Sequence, residues 1–527
     1  MDLWWENWSS RPERRDEVDE TDRPGLPRLA VVGVTLLACA GLTYVLPFLS
    51  DYRPWVPGEP VPLLRLFTFE DGNAAGDGGA PGIGGTGKEA LTGDRARESL
   101  AAELGAALAQ NLGDDSVADQ AGVSVEVSVE PRELKGLVRE IEDPGGVAMR
   151  PFYKALKRTA EGRAGAITRI AHWGDSTIAA DDITATLRRR LQKRFGDAGH
   201  GFILTAKGYM PYRHKDVVFK SSGWKLYPII RGQRRDGRYG YGGVSYGSWG
   251  GGRATYGTVK EGPIGTSVSR FELFYQAHKG GGDLEWKVDG GKANVLSTKA
   301  PSTEDRWKRI DVDDGPHELS IRAIGHGEVR MYGVVMERPG PGVVYDSLGI
   351  VGARAARMLN ADPDHFDAQV RHRDPDLLIL AFGGNEAGDR KMSSKWYEKN
   401  LTEVVQFMRR GKPGAACLLM APLDQGEVGP RGRVRTIPVL RRIVKVQRKV
   451  AMAQGCAFFD TFSAMGGPGA MGRWYKSKPR LGWGDYRHAT PAGYEVIGNL
   501  FYKALLKGFA DYLERREDVE GSHVRQS

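Results

Sequence analysis

At 527 residues the chain exceeds one small module and, at ~150 residues per domain, leaves room for two to four units. Its 40% hydrophobic and 9% aromatic content can fill sizeable cores, which excludes a wholly disordered chain, and the 71 glycines, nearly twice the ~7% average, belong to turns and linkers. A net charge of +9 is mild for this length, and three cysteines, Cys39, Cys417 and Cys456, exclude a disulfide scaffold and a multi-cysteine metal cluster.

Residues 29–49, LAVVGVTLLACAGLTYVLPFL, carry no charge and suffice to cross ~30 Å of hydrocarbon as a helix. Arg11, Arg14, Arg15, Arg23 and Arg28 precede this run, against only Arg53 and Arg65 in residues 50–65. The positive-inside rule therefore assigns residues 1–28 to the cytoplasm and the body of the chain to the outside, as a periplasmic domain anchored in the inner membrane. The tetrapeptide ending at Cys39, LLAC, looks like a lipoprotein processing site and gives the rival reading of a cleaved signal. Residues 50–130 open on a Pro-rich and then Gly-rich flexible linker and continue into an Ala/Leu/Glu-rich spacer helix over 89–112.

A helix over 151–161 then precedes AITRIAHWGDS, an apolar strand running into a sharp turn. Residues 207–340 change to short alternating runs such as SRFELFYQA, LEWKVDG and HELSIRAI between Gly, Pro and Asp turns, the pattern of a β sandwich. Beyond residue 343 strand and helix alternate again. DLLILAF, AACLLMAP and CAFFD read as buried parallel strands, with helices over 396–410, 437–453 and 492–514. An α/β domain of residues 131–206 and 341–515 is thus interrupted by a β domain of residues 207–340, and residues 516–527 form a disordered tail. Cys417 and Cys456 fall in predicted strands and read as inert small hydrophobes.

Ser176, in His172-Trp173-Gly174-Asp175-Ser176, follows a strand and precedes a helix, a position that exposes a nucleophile at the carboxyl edge of a sheet. Three further motifs follow in order. Ser347-Leu348-Gly349-Ile350-Val351-Gly352 is a glycine turn opening a helix, Gly383-Gly384-Asn385-Glu386 ends a strand, and Asp485-Tyr486-Arg487-His488 precedes the last helix. In this order the four motifs resemble the blocks of the SGNH (GDSL-type) hydrolase superfamily. The resemblance covers roughly residues 165–205 and 343–512 and implies a flavodoxin-like parallel sheet sandwiched by helices. It further implies Ser176 as nucleophile, His488 as general base, Asp485 as its orienting carboxylate, and an oxyanion hole from Ser176, Gly349 and Asn385. Ser347 stands where many members have Asn, and Glu386 where many have Asp. His172 reads as a packed neighbour. No HxxxH or carboxylate cluster stands at ligand spacing, so no metal or other cofactor is expected.

The 173 positions from Ser176 to Gly349 exceed one βαβ crossover, and the excess is the β domain. HWGDSTIAADDIT, FGDAGHGF, the insert and GVVYDSLGIVGARA together look like the subgroup associated with de-O-acetylation of envelope polysaccharide, peptidoglycan in particular, whose insert resembles a jelly-roll carbohydrate-binding module. Independently, residues 206–260 hold 11 Lys/Arg against two acids, together with ten aromatics. Tyr209, Trp224, Arg234, Arg235, Arg238, Tyr241 and Trp249 are accordingly candidates for stacking on, and neutralising, an acidic O-acetylated glycan in one wall of the cleft. Nucleic acid would suit the same composition but not an extracytoplasmic site. The expected activity is a membrane-anchored serine O-acetylesterase. An O-acetyltransferase using the same acyl-enzyme, or a non-catalytic glycan-binding protein, is the alternative.

Overall fold

The computed structural model describes residues 127–208 and 212–524. The expected anchor at 29–49, Cys39, the linker with its spacer helix, and Tyr209 lie outside the described residues. Among the described residues no helix is long and apolar enough to cross a membrane.

Helix α1 (Arg150–Ala160) leads into β1 (Ile167–Gly174), the short α2 (Ser176–Ala179) and α3 (Asp182–Phe195). Twelve further strands come before the next α-helix. They are β2 (Gly201–Leu204), β3 (Val218–Ser222), β4 (Lys225–Pro228), β5 (Val244–Ser248), β6 (Arg253–Gly257), β7 (Val268–Ala277), β8 (Asp283–Val288), β9 (Asn294–Ser297), β10 (Glu304–Gly315), β11 (Glu318–Gly325), β12 (Val329–Glu337) and β13 (Gly342–Gly349). Alternation then resumes with α4 (Pro363–Arg373), β14 (Leu377–Ala381), α5 (Ser394–Arg409), β15 (Ala416–Met420), the hairpin β16 (Gly426–Val428) and β17 (Val434–Thr436), and α6 (Pro438–Ala453). β18 (Ala457–Phe459), α7 (Thr461–Ala464), α8 (Ala470–Lys476) and α9 (Pro491–Val524) complete the chain. Caps explain several boundaries. Asp362 and Ser393 accept the backbone N–H of His365 and Trp396 at the starts of α4 and α5, and Pro438 opens α6. The last helix runs past Glu514 to Val524, into the stretch read as a disordered tail.

β13, β1, β14, β15 and β18 form an all-parallel sheet in that order. Counted along the chain, the sheet order is 2-1-3-4-5, the flavodoxin-like order, in which ligands bind beyond the carboxyl ends of the strands where the order reverses. Central strands buried on both faces need continuous apolar runs, and every residue of β14 and β15 is buried. Successive residues face opposite layers. Ile170, Tyr345, Ile379 and Leu418 pack with Leu156, Leu187 and Phe501 of α1, α3 and α9, whereas Trp173, Leu348, Leu380 and Leu419 pack with residues of α4, α5 and α6.

The second of these cores continues into the β region. One antiparallel sheet runs β10-β7-β12-β5-β4, with β2 also paired to β12, and another runs β3-β6-β11-β8-β9. Phe271, Leu273 and Val334 of the first share a core with Phe219, Tyr256 and Ile321 of the second. β2, placed by the sequence reading in the α/β part, therefore belongs to an antiparallel sheet. Trp173 of β1 donates its indole N–H to the Tyr241 carbonyl at 3.0 Å and meets the Tyr241 ring edge to face, so the β region is sealed onto the parallel sheet.

One expectation is overturned by a covalent bond. Cys417 in β15 and Cys456 just before β18 form a disulfide. Leu418 pairs with Ala457, which sets the two cysteines opposite each other on neighbouring strands.

Candidate active site

The site lies where β1, β13 and β14 end. β1 stops at Gly174, and Asp175 turns the chain by accepting the N–H and hydroxyl of Thr177 at 3.0 and 2.9 Å. Ile178 and Ala179 donate to the Asp175 carbonyl, and Ser176 becomes the first residue of α2, where a backbone N–H has no acceptor within the helix. Its hydroxyl is partly exposed and lies 3.3 Å from His488 Nε2. His488 Nδ1 lies 2.6 Å from Asp485 Oδ2, while Asp485 Oδ1 accepts the backbone N–H groups of Arg487 and His488 at 3.0 and 3.1 Å. Ser176, His488 and Asp485 are thus brought into one chain of hydrogen-bonding distances from positions 312 residues apart.

The loop that presents His488 is held at three points. Gly482 and Ala489 bridge antiparallel, Trp483 N–H donates to the His488 carbonyl at 2.9 Å, and the Tyr486 carbonyl accepts from Gly426 at 2.8 Å. Tyr486 takes a left-handed φ of 55° to make the turn.

Asn385, just beyond β14, donates its side-chain amide to the Ala353 carbonyl at 2.9 Å. Its neighbour Glu386 accepts Ala355 N–H at 2.7 Å and Gly383 N–H at 3.1 Å, so both side chains tie the segment after β13 to the end of β14. The glycine turn expected to open a helix is instead strand through Gly349, followed by a turn and a 3-10 helix, Ala355–Asn360. Gly349 is buried, and a Cβ there would stand 2.0 Å from Ala179 N; the missing side chain lets β13 press against the helix that carries Ser176. Gly352, passed over by the sequence reading, is the exposed glycine of this block, with φ 77° beside the Asn385 anchor. Ser347 is buried behind α2, with its hydroxyl 2.9 Å from that of Thr184.

Burial would raise Asp485, but the His488 hydrogen bond and the two backbone donors hold it below the usual carboxylate range, so it meets the imidazole as an anion. Burial pushes Glu386 up to about 7 against the pull of its backbone donors. It also raises Asp175. His172 is buried with Nδ1 2.9 Å from the Tyr345 hydroxyl, and burial alone pushes it down to about 3, as fits a packed neighbour that stays neutral. Among the described residues no cluster of His, Cys, Asp or Glu suits a metal.

The glycan candidates in the β region fare differently. Tyr241 is fully buried, with its hydroxyl 3.2 Å from Asp346 Oδ2, and Tyr212, Tyr239 and Tyr246 are buried as well. These tyrosines build the core because the facing sheets need large side chains with a polar tip that finds a partner. Arg234 pairs with Glu328 at 2.9 Å and stacks on Tyr227, and Arg238 pairs with Asp305 at 3.1 Å. Trp224 is half-buried with its N–H on the Arg253 carbonyl, which leaves Trp249 and Arg235 as the exposed members. The loop does reach the site's edge: Asn360 donates to the Ile229 carbonyl at 2.9 Å, and Ile230 lies beside Gly352.

Residues 325–496 match the GDSL-like lipase/acylhydrolase family, a segment that takes in Gly349, Gly352, Asn385, Asp485 and His488, with Ser176 ahead of it across the β region. Over that segment the chain resembles the SGNH (GDSL-type) family. Its fold is shared with a solved peptidoglycan O-acetylesterase, at 24% identity and a TM-score of 0.59 over 70% of this chain and 99% of that one. Fainter likenesses are to a family two carbohydrate esterase from Cellvibrio japonicus (12% identity, TM-score 0.23, 56% and 99% covered) and to a salicylyl-acyltransferase from a tetracycline biosynthetic pathway (14%, 0.24, 60% and 98%). No curated protein matches the chain.

Proposed function

We propose that this protein is a serine O-acetylesterase that removes acetyl groups from cell-envelope glycan, peptidoglycan in the first instance. The observation that carries the reading is the Ser176–His488–Asp485 alignment at 3.3 and 2.6 Å at the carboxyl edge of an SGNH-type sheet. Ser176 Oγ attacks the acetyl carbonyl while His488 Nε2 takes its proton. Asp485 accepts the Nδ1–H and stabilises the imidazolium. The tetrahedral oxyanion is received by donors at the edge, the Ser176 N–H and the Asn385 amide, with Gly349 supplying backbone at the end of β13 and Gly352 in the turn that follows. Collapse breaks the ester C–O bond, His488 returns the proton to the departing sugar oxygen, and water repeats the sequence on the acetyl-serine to release acetate.

Peptidoglycan is the proposed glycan because the fold, β region included, is the one found in the peptidoglycan O-acetylesterase. The proposed location is extracytoplasmic, on an inner-membrane anchor at residues 29–49. Two observations support it: the charge-free run with arginines on one side, and the Cys417–Cys456 disulfide, a bond that persists chiefly in oxidising compartments.

The test is acetate release by the full-length protein from O-acetylated peptidoglycan and from a small aryl acetate. Both activities are expected, and Ser176→Ala is expected to lower each by roughly 10⁴-fold or more. Release that persists in Ser176→Ala, or no release by folded wild-type protein, would sink the reading. Acetyl transfer to an added acceptor in place of free acetate would convert it to a transferase.

A further inference from the structure

The aromatics first assigned to sugar stacking are largely core, yet the loop that carries Asp485 and His488 has aromatic surface of its own. Continuing the Gly482–Ala489 bridge by one residue sets Trp483 opposite His488, joined by the 2.9 Å bond from Trp483 N–H. Residues directly opposite in an antiparallel pair project their side chains to the same face as close neighbours. The Trp483 side chain is 50% exposed, on the residue whose backbone is bonded to that of His488.

Its surroundings are built from rings and cations. Tyr475 and Tyr486 meet edge to face with centroids 5.1 Å apart, and the Arg480 guanidinium lies 4.4 Å from the Tyr475 centroid. Gly484 lies over Tyr475, where a Cβ would stand in ordinary contact 3.4 Å from the ring. Arg487, next to His488, is exposed and borders a small cavity with Asp175, Thr177 and Gly384. The proton relay needs none of these side chains. An indole left half in water on the loop of a reacting histidine gains by covering the apolar face of a sugar ring, and a guanidinium on that loop suits a carboxylate on that ring or its neighbour.

We infer that Trp483 is the stacking platform for the sugar next to the scissile ester, and that Arg487 takes a carboxylate of the same glycan. The inference rests on the esterase reading for the identity of the ligand. It shifts glycan recognition from the β region to the histidine loop.

The test separates binding from turnover. Full-length Ser176→Ala protein is titrated calorimetrically with muramidase-solubilised O-acetylated peptidoglycan fragments and with an uncharged chitooligosaccharide. Adding Trp483→Ala is expected to weaken fragment binding about tenfold, equivalent to about 1.4 kcal/mol, with Trp483→Tyr restoring most of it. Adding Arg487→Ala is expected to erase the preference for the acidic fragments. In the active protein, Trp483→Ala should raise KM for the glycan while leaving kcat little changed. Fragment affinity unchanged by Trp483→Ala, or a loss confined to kcat, would overturn the subsite, as would Ser176→Ala protein that binds no fragment. Fragment binding through Trp483 by a protein whose wild type frees no acetate would instead sink the esterase reading and leave the subsite standing.

Discussion

His488 draws on a carboxylate only three residues away, and the partnership works because the left-handed Tyr486 folds the loop back so that one Asp485 oxygen serves the ring and the other serves two backbone N–H groups. Asp485→Asn keeps the shape but replaces an anion by an amide, so imidazolium formation loses its support. The expected outcome is a kcat for aryl acetate lower by ~10²–10⁴ with KM little changed, read from steady-state kinetics. A fall below tenfold would show that the exposed Asp485 acts as a positioner alone. Glu386 offers a second test through pH. Its folded value of about 7 lies above the ordinary 4.5, so the folded state binds the proton more tightly than the unfolded chain does. The neutral form favours folding at low pH, and stability falls as pH rises from about 4.5 through about 7. Thermal unfolding of wild type should therefore weaken between pH 5 and 8, and Glu386→Gln should flatten that slope; an equal slope in both would reject the assignment. The meeting of Ser176, His488 and Asp485 was legible because their motifs sit at a strand end and a helix start and the four motifs keep a fixed order. The separate parts played by Gly349 and Gly352 were not, since two glycines three residues apart differ only in backbone angle and in what presses against them.

At the scale of elements, strands and helices followed the periodicity closely because the buried strands are continuous apolar runs and the helices carry readable caps. The disulfide escaped for a reason of register. Nothing near Cys417 or Cys456 in the sequence tells that Leu418 pairs with Ala457, and only that pairing sets the two sulfurs together. Fold topology also hid the Tyr-rich stretch: counting aromatics and cations could not tell a surface from the interior of two facing sheets. The crosslink closes a 39-residue separation that holds α6 and the β16–β17 hairpin, which supports the histidine loop through Gly426. On the loop-entropy account its removal costs about 3–4 kcal/mol. The Cys417→Ala/Cys456→Ala double variant should show that loss in denaturant unfolding, with m rising as the uncrosslinked unfolded chain expands, whereas a variant as stable as wild type would mean the strands hold their register unaided.

At the scale of the whole molecule, a buried ionic cluster joins the parallel sheet to the antiparallel sheet that holds β7, β12 and β2. Arg373, in the last turn of α4, pairs with Asp346 of β13 at 2.7 Å and with Glu337 at the end of β12. Glu337 also receives Arg169 of β1 at 3.0 Å and Arg270 of β7, while Asp346 accepts Phe202 N–H of β2 and the Tyr241 hydroxyl. Strands of the parallel sheet and of one antiparallel sheet thus meet, together with α4, on two carboxylates. Burial would raise Glu337, but Arg373 and Arg169 hold it well below the usual carboxylate range. A depressed carboxylate contributes stability above its ordinary 4.5 and loses it as pH falls toward the folded value. Arg373 is itself buried, so Arg373→Met strands Glu337 and Asp346 with fewer cations in a dry interior, a change expected to cost about 3–5 kcal/mol at pH 7. Arg169 is partly exposed, and Arg169→Met, with water able to take over its place, should cost less. Denaturant unfolding at pH 7 and pH 4 measures both effects, and the gap between wild type and Arg373→Met should narrow at the lower pH as the stranded carboxylates of the variant protonate. A gap that widens on acidification, or a cost at pH 7 no larger than for Arg169→Met, would mean that the β region is held by the Trp173–Tyr241 contact and its apolar neighbours, with the ions as passengers.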